Sequence, residues 1–403
     1  MKKIICLSLL TFTSLFADAD LDAIKEQLKE QKNATKKLQD RIEQISMTPS
    51  TSASFSQTSF LPDIALILNM SAVSRNVKNS SYENYAIPGF IDKGTAEMPF
   101  NKDSGFNLNY AELAISSTVD PYFDTFTIFH LHPDYLEIDE AFVRTRALPY
   151  GLKVKAGKFK SSFGRINSKH QHAWNFDSQP IVYESMFGPD AISDAGVQLQ
   201  WVAPTDTYIM AGIEAMQGNN NMSFGDVENN NLYVGYLKSS IDIGDDLSIL
   251  GGVSLAHGKN LFSKNTDVYG VDLTLREQLG SYSSLIWQSE YLYRGKDVQT
   301  RIDKQSGMYS ELIYHKNNNW SVGIRYDAII QNDVNLQNDY ANVNVDNLLR
   351  YTGTLEYKPF SFSRLRLQYT HDETKVIYGQ RKTIHELMLS LNIATGAHGA
   401  HSY

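Results

Sequence analysis

Cysteine is almost absent from this chain: the single one, Cys6, lies inside an N-terminal apolar run. Lys2 and Lys3 precede that run, which covers residues 4–16, and the small-residue pattern Ala17-Asp18-Ala19 follows it. A positive start, a short apolar centre and a small-residue end predict a cleaved secretory signal peptide over residues 1–19. The exported remainder then has no disulfide, thiolate metal site or cysteine nucleophile at its disposal. Long apolar runs are missing as well. The leader run is too short to span a bilayer as a helix, and nothing longer follows. Positive charge is in deficit, with 37 Lys and Arg against 45 Asp and Glu, a formal net charge of −8. That excludes a generally basic surface for nucleic acid. No GxSxG, HExxH or Walker-type spacing occurs, so no catalytic role is expected.

Aromatic residues, in contrast, are abundant, with 23 Tyr and 19 Phe. Leu21, Ile24, Leu28, Leu38, Ile42 and Ile45 fall at a and d heptad positions, with Gln31 and Thr35 in the middle layers. This spacing predicts a periplasmic coiled coil over residues 20–46, followed by a Ser/Thr-rich linker over 47–61. Beyond it the period becomes two. "LKVKAG" alternates Leu152, Val154 and Ala156 with Lys153 and Lys155, and "RLRLQY" alternates Arg364 and Arg366 with Leu365 and Leu367. "HELMLSLNI" sets Leu387, Leu389, Leu391 and Ile393 on one face. We count sixteen such segments between residues 62 and 394, the twelfth starting near residue 307. The connections alternate: mostly long gaps in one set, tight turns such as those at Asp120, Pro149 and Gly244 in the other. Aromatics such as Tyr122, Trp201, Trp320 and Phe360 gather near strand ends. An even strand number, loops sorted by length and aromatic ends predict an all-β fold, a 16-stranded antiparallel transmembrane β-barrel in the outer membrane.

The gap over residues 163–193 is long and carries Trp174, Phe176, Tyr183 and Phe187. A sixteen-stranded barrel encloses a channel too wide for wall side chains to fill. The expectation is therefore that this loop folds inward and constricts the channel. Arg144, Arg146, Lys153 and Lys155 lie on the polar faces of two neighbouring strands, and Lys158, Lys160 and Arg165 continue towards the loop. Arg364 and Arg366 repeat the pattern elsewhere. Charges are costly against lipid, so these nine are expected to face the lumen, where a positive ladder favours anions. Asp139, Glu140, Glu290, Glu311 and Asp327 are the wall charges that would balance it.

The stretch "EAFVRTRALPYGLKVKAGKFKSSFGRIN" resembles the phosphate-selective porin O and P family. "FGRINSKHQHAWNFDSQPIVYESMFGPDAISDAGVQLQWVAP", with the tail "GAHGAHSY", resembles a group of Gram-negative outer-membrane proteins described as zinc-regulated. Members of that group are sometimes labelled TonB-dependent receptors. Such a receptor has an N-terminal plug domain and a barrel of roughly twenty-two strands; here a coiled coil stands in place of the plug. The porin resemblance implies an inward third loop and, with the coiled coil, a homotrimer.

Three histidine pairs stand out: His130/His132, His170/His172 and His398/His401, the last in the tail over residues 395–403. Histidines two apart on an extended strand can face one ion, and imidazole suits Zn²⁺. Asp134, Asp177, Asp190 and Glu184 are the acidic residues available as further ligands. Zinc is the candidate ion; no cofactor is required for passage of small solutes or ions. Three readings stay open: a diffusion pore, a zinc-linked receptor, and a structural tether. The expected partners are outer-membrane lipid, the barrel-assembly machinery and small solutes.

Overall fold

The computed structural model describes residues 62–396, except 96–97, 99, 133–134, 226–227, 229–231 and 336–346. The leader, coiled coil, linker and tail, with His398 and His401, therefore lie outside the described residues, as does Asp134. Sixteen antiparallel strands close into one barrel. They are β1 (Asp63–Arg75), β2 (Gly105–Thr118), β3 (Phe123–Leu131), β4 (Leu136–Thr145), β5 (Leu152–Lys160), β6 (Ser193–Val202), β7 (Tyr208–Met216) and β8 (Leu232–Ile243). There follow β9 (Leu247–Lys259), β10 (Asn265–Gln278), β11 (Ser284–Asp297), β12 (Ile302–His315), β13 (Trp320–Asp333), β14 (Leu348–Phe360) and β15 (Ser363–Asp372). A closing strand, Ile384–Gly396, pairs back onto β1 from Ala65↔Gly396 to Arg75↔Glu386. Closure leaves no sheet edge, which is what a chain without water around its backbone requires.

The alternation explains which way each side chain points. Along β13, Trp320, Val322, Ile324 and Tyr326 are exposed, while Ser321, Arg325 and Asp327 are buried. Along β15, Leu365, Leu367 and Tyr369 are exposed, while Arg366, Gln368 and Thr370 are buried. Apolar outside and polar inside is the reverse of a water-soluble domain and fits a lipid surround. Val271, at mid-strand on β10, faces out beside Val253 and Tyr291. Val271→Lys should cost ~2–4 kcal/mol of membrane-folded stability, read as a lowered urea midpoint in lipid vesicles. A cost under ~1 kcal/mol would place this face away from the acyl chains.

At one end the connections are tight throughout: 119–122, 146–151, 203–207, 244–246, 279–283, 316–319 and 361–362. At the other lie the long loops 76–104, 161–192, 217–231, 334–347 and 373–383, with three short ones at 132–135, 260–264 and 298–301. The length sorting is thus one-sided: every connection at the first end is tight, but some at the second are tight too. β12 begins at Ile302, earlier than its apolar alternation, because its first turn of ladder carries Asp303, Lys304 and Gln305.

The lumen is filled largely by protein. Loop 161–192 carries a short helix, Ile181–Phe187, whose Ile181, Val182, Tyr183, Ser185, Met186 and Phe187 are all buried. Phe163, Tyr183, Met186 and Phe187 pack against wall residues Val234, Ala256, Val268, Leu292 and Tyr309. A second apolar cluster joins Tyr85, Ile87 and Ile91 of loop 76–104 to Ile181, Ile329, Leu348 and Ile377. The wall is therefore not polar throughout: an apolar patch waits where the loop docks.

Candidate constriction loop and histidine cluster

Several carboxylate-centred anchors tie loop 161–192 to the wall; besides Glu214, which accepts from Ser161 and Ser162, and Glu311, which accepts from Asn175, three gather the most partners. Glu290 on β11 accepts the backbone N–H groups of Arg165 at 2.8 Å and Ile166 at 3.0 Å, and the Tyr183 hydroxyl at 2.8 Å. The Tyr309 hydroxyl donates to its other side. The chain reaches this hub through Gly164, whose φ is +58°; a Cβ there would lie 2.2 Å from the Tyr183 hydroxyl and 2.4 Å from Glu290. Only glycine fits so close an approach.

The second anchor is Asp327 on β13. It receives Arg325 Nε at 2.9 Å, Arg350 Nε at 3.3 Å and the Ile181 backbone N–H at 2.9 Å. Arg325 also donates to the Ser178 carbonyl at 2.7 Å, and Arg350 to the Gln179 carbonyl and to Glu184 at 3.1 Å. Glu184, on the loop helix, accepts from Lys375 at 2.9 Å and Tyr85 at 2.8 Å. Burial pushes its carboxyl up, but the Lys375 and Arg350 charges outweigh that and hold it at about 2. The third anchor is Asp177 of the loop itself, which accepts from Arg366 at 3.0 Å and Ser390 at 2.7 Å. Between these anchors and loop 76–104 remains a cavity of about 110 Å³ with Arg75, Tyr85, Glu184, Arg350 and Lys375 on its walls.

Beside this cavity, which Gln171 and Trp174 also line, three of the four histidines of the two described pairs converge. His130 Nε2 lies 3.3 Å from Glu112 Oε2 and 3.6 Å from Asp139 Oδ2. His170 Nδ1 lies 3.0 Å from Asp139 Oδ2, and its Nε2 2.9 Å from Glu140 Oε2. His172 Nδ1 lies 3.2 Å from Glu112 Oε2. Burial alone would lower His170, but the Glu112 charge and the Asp139 and Glu140 contacts raise it to about 10. His132 lies beside His130, ring centroids 6.1 Å apart, stacked on Tyr135 at 4.2 Å and 3.9 Å from Glu137; His130, His132 and Glu137 make a second, less buried group of potential ligands. Asp177 does not join the histidines; Arg366 and Ser390 occupy it. Glu184 faces the cavity, held by Lys375 and Arg350.

Glu112 is the residue that sequence reasoning misses. Its signal is the register: Glu112 pairs directly with His130 across β2 and β3. A bulge between Ile128 and Phe129 lets both Asp139 and Glu140 of β4 turn to the same buried side. Period two alone cannot show that, since it sends consecutive residues to opposite faces.

The nine basic residues do not line one path. Arg144 and Lys155 face each other across the β4–β5 ladder, and Arg144 and Arg146 share Asp124 at 3.3 and 3.5 Å. Lys153 is exposed, and the Lys155 ammonium sits over the Phe142 and Phe159 rings at 4.8 and 5.0 Å. These four form a basic patch near the short-turn end. Lys158 falls on the other face from Phe159 by alternation and donates to the Ile138 carbonyl at 2.6 Å. Lys160 pairs with Asp139 at 3.1 Å beside the histidines. Arg165 reaches the Glu290 hub through its backbone. Arg364 and Arg366 clamp the loop instead, donating to the His172 carbonyl at 2.7 Å and the Trp174 carbonyl at 2.9 Å.

A closed barrel of sixteen strands, with the third connection at its long-loop end buried in the lumen, has the fold of the outer-membrane porins. An anion-selective porin from Comamonas acidovorans superposes with a TM-score of 0.56 at 10% identity, over 83% of this chain and 100% of that one. The outer-membrane channel DcaP of Acinetobacter baumannii gives 0.54 at 12% identity, over 84% and 99%. A loop L8 deletion mutant of OmpT from Vibrio cholerae gives 0.54 at 12% identity, over 84% and 100%. No protein-family profile matches the chain. By sequence it belongs to one family with an uncharacterized protein of Aquifex aeolicus (strain VF5), 38% identical over 384 residues that cover 87% of this chain and 81% of that one.

Proposed function

We propose that this protein is an outer-membrane diffusion channel for small hydrophilic solutes or ions, narrowed by loop 161–192 and without a catalytic step. The observation that carries the reading is the loop's position: it is buried inside a closed barrel and fastened to β11, β13, β14 and β15 by buried charges. An inward loop held by fixed charges at the narrowest part of a barrel sets both size limit and charge preference. The long-loop end faces outward in this reading, and the short-turn end faces the periplasm. Arg144, Arg146, Lys153 and Lys155, opposed locally by Asp124, give that inner mouth an anion preference. The coiled coil expected from the heptad spacing over residues 20–46 would suit a homotrimer, and the OmpT of Vibrio cholerae is described in a trimer form.

A second reading has its own observation. Luminal residues around most of the wall, among them Glu112, Asp272, Glu290, Arg325, Arg366 and Gln368, are buried. A barrel so filled fits an uptake receptor or zinc-linked gate that opens only on a signal. Planar-bilayer recordings of the purified full chain in a salt gradient separate the two. The pore reading expects small, steady unitary currents with a reversal potential on the anion side. Silence in the unmodified protein, with currents appearing only after the loop is loosened, would favour the gated receptor.

A further inference from the structure

Four donor atoms from four separate elements converge beside loop 161–192: Glu112 Oε2 on β2, His130 Nε2 on β3, Asp139 Oδ2 on β4 and His170 Nδ1 on the loop. Glu112 Oε2 lies 3.3 Å from His130 Nε2 and 3.7 Å from His170 Nδ1. Asp139 Oδ2 lies 3.6 Å from His130 Nε2 and 3.0 Å from His170 Nδ1. Ligands at ~2.0–2.1 Å around a tetrahedral Zn²⁺ stand ~3.3 Å from each other. Four of the six edges are given by these contacts and bracket that value, and the ligand atoms of Glu112, His130 and His170 all lie within 4.8 Å of one another. We propose that these atoms form a binding site for a single divalent transition ion of the zinc type, with two imidazoles and two carboxylates as ligands.

Hydrogen bonding accounts for the arrangement less well. Each imidazole nitrogen carries one proton at most and here faces two carboxylate oxygens, so a proton placed between one pair is misdirected for the other. An ion at the centre satisfies all four atoms together. The surroundings match those of metal-bound histidine. His170 presents its second nitrogen to Glu140 at 2.9 Å, the carboxylate–histidine–metal relay that fixes a ligand's tautomer and orientation. Asp139 turns its other oxygen to Lys160 at 3.1 Å. His172 Nδ1, 3.2 Å from Glu112 Oε2, is positioned as a fifth donor. Charge is compatible as well: the buried carboxylates Glu112, Asp139 and Glu140 face Lys160 and, in the absence of an ion, imidazoles whose protons a bound dication would displace. Three ligands come from the wall and one from the loop, so the ion would rivet the two together. The site goes beyond the channel reading and stands whether or not the barrel conducts.

Calorimetric titration of the folded full chain in detergent micelles with ZnCl₂, after chelator treatment, tests this. One ion per chain is expected, with X-ray absorption showing N/O ligands at ~2.0–2.1 Å and imidazole scattering. His130→Ala and Glu112→Gln should abolish binding. Glu140→Gln, which touches only the positioning carboxylate, should weaken it ~10–100-fold. The double variant His371→Ala/His385→Ala, which removes an edge-to-face ring pair 4.9 Å apart elsewhere on the barrel, should bind as the unmodified chain does. Heat-modifiable mobility on gels verifies that each variant is folded. Unchanged affinity in folded His130→Ala and Glu112→Gln, or no uptake by the unmodified protein, would overturn the site.

Discussion

Replacing Glu290 with alanine should lower the unfolding free energy of the barrel by about 4 kcal/mol and release the loop from the β11 wall. The carboxylate accepts from two backbone N–H groups and two tyrosine hydroxyls, all within the buried lumen. An ionised carboxylate has about four lone-pair positions, so the hub is full. Truncation strands four donors where water has little access, each at about 1–3 kcal/mol before relaxation. Glu290→Gln is instructive because it preserves shape. Its amide nitrogen would point a donor at two existing donors, so the cost should stay close to that of alanine. Urea unfolding followed through Trp174, in a background where Trp201, Trp287 and Trp320 are Phe, reads both effects. Trp174 is buried in the loop cluster and should shift to the red as the loop leaves. A loss under ~1 kcal/mol with unmoved emission would mean that water replaces the carboxylate.

The second large effect is expected at Asp327. In Arg325→Met/Arg350→Met the carboxylate keeps the Ile181 N–H at 2.9 Å but loses both guanidinium groups. Breaking a buried ion pair from one side costs about 3–5 kcal/mol, because the other charge stays behind unpaired. Arg350 also holds Glu184 and the Gln179 carbonyl, so the helix Ile181–Phe187 loses its main tether in the same variant. Under the channel reading, unitary conductance should rise severalfold. Adding Asp327→Leu removes the stranded charge and should restore most of the stability while leaving conductance high. That cycle separates stability from gating. If the double variant unfolds as the unmodified chain does, the pairs are solvated and the loop rests on its apolar contacts alone.

The fold was largely legible in the sequence, the lumen only in part. Strand number and position follow from period two, because lipid on one side and polar lumen on the other impose the same alternation on every strand. β13, β14, β15 and the closing strand begin at Trp320, Leu348, Ser363 and Ile384, where the alternation begins. The burial of Trp174, Tyr183 and Phe187 matches their surplus of apolar surface for a solvated loop. The anchors were another matter. Glu290 and Arg165 are separated by 125 positions, and Arg366 and Asp177 by 189, so no local pattern connects them. The apolar wall patch at Val234, Ala256, Val268 and Leu292 runs against the rule that inward positions are polar. It makes sense only once a second apolar surface is known to cover it. The histidine pairs were visible as pairs. Their meeting depends on the register Glu112↔His130 and on a bulge, which spacing along one strand does not encode.

The shared nature of the anchors determines how the loop can move. Asp327, Glu290 and Asp177 each serve several donors, and Arg350 and Arg366 each serve several acceptors. A loop withdrawn by a small distance would leave most of these charges bare in a poorly hydrated interior, the least favourable arrangement of all. Intermediate positions are therefore sparsely populated, and docked and released states are separated by a barrier. Current through such a barrel would not grade smoothly with voltage or ligand. It would switch between two levels like a random telegraph, with dwell times set by the slowest group of bonds to break.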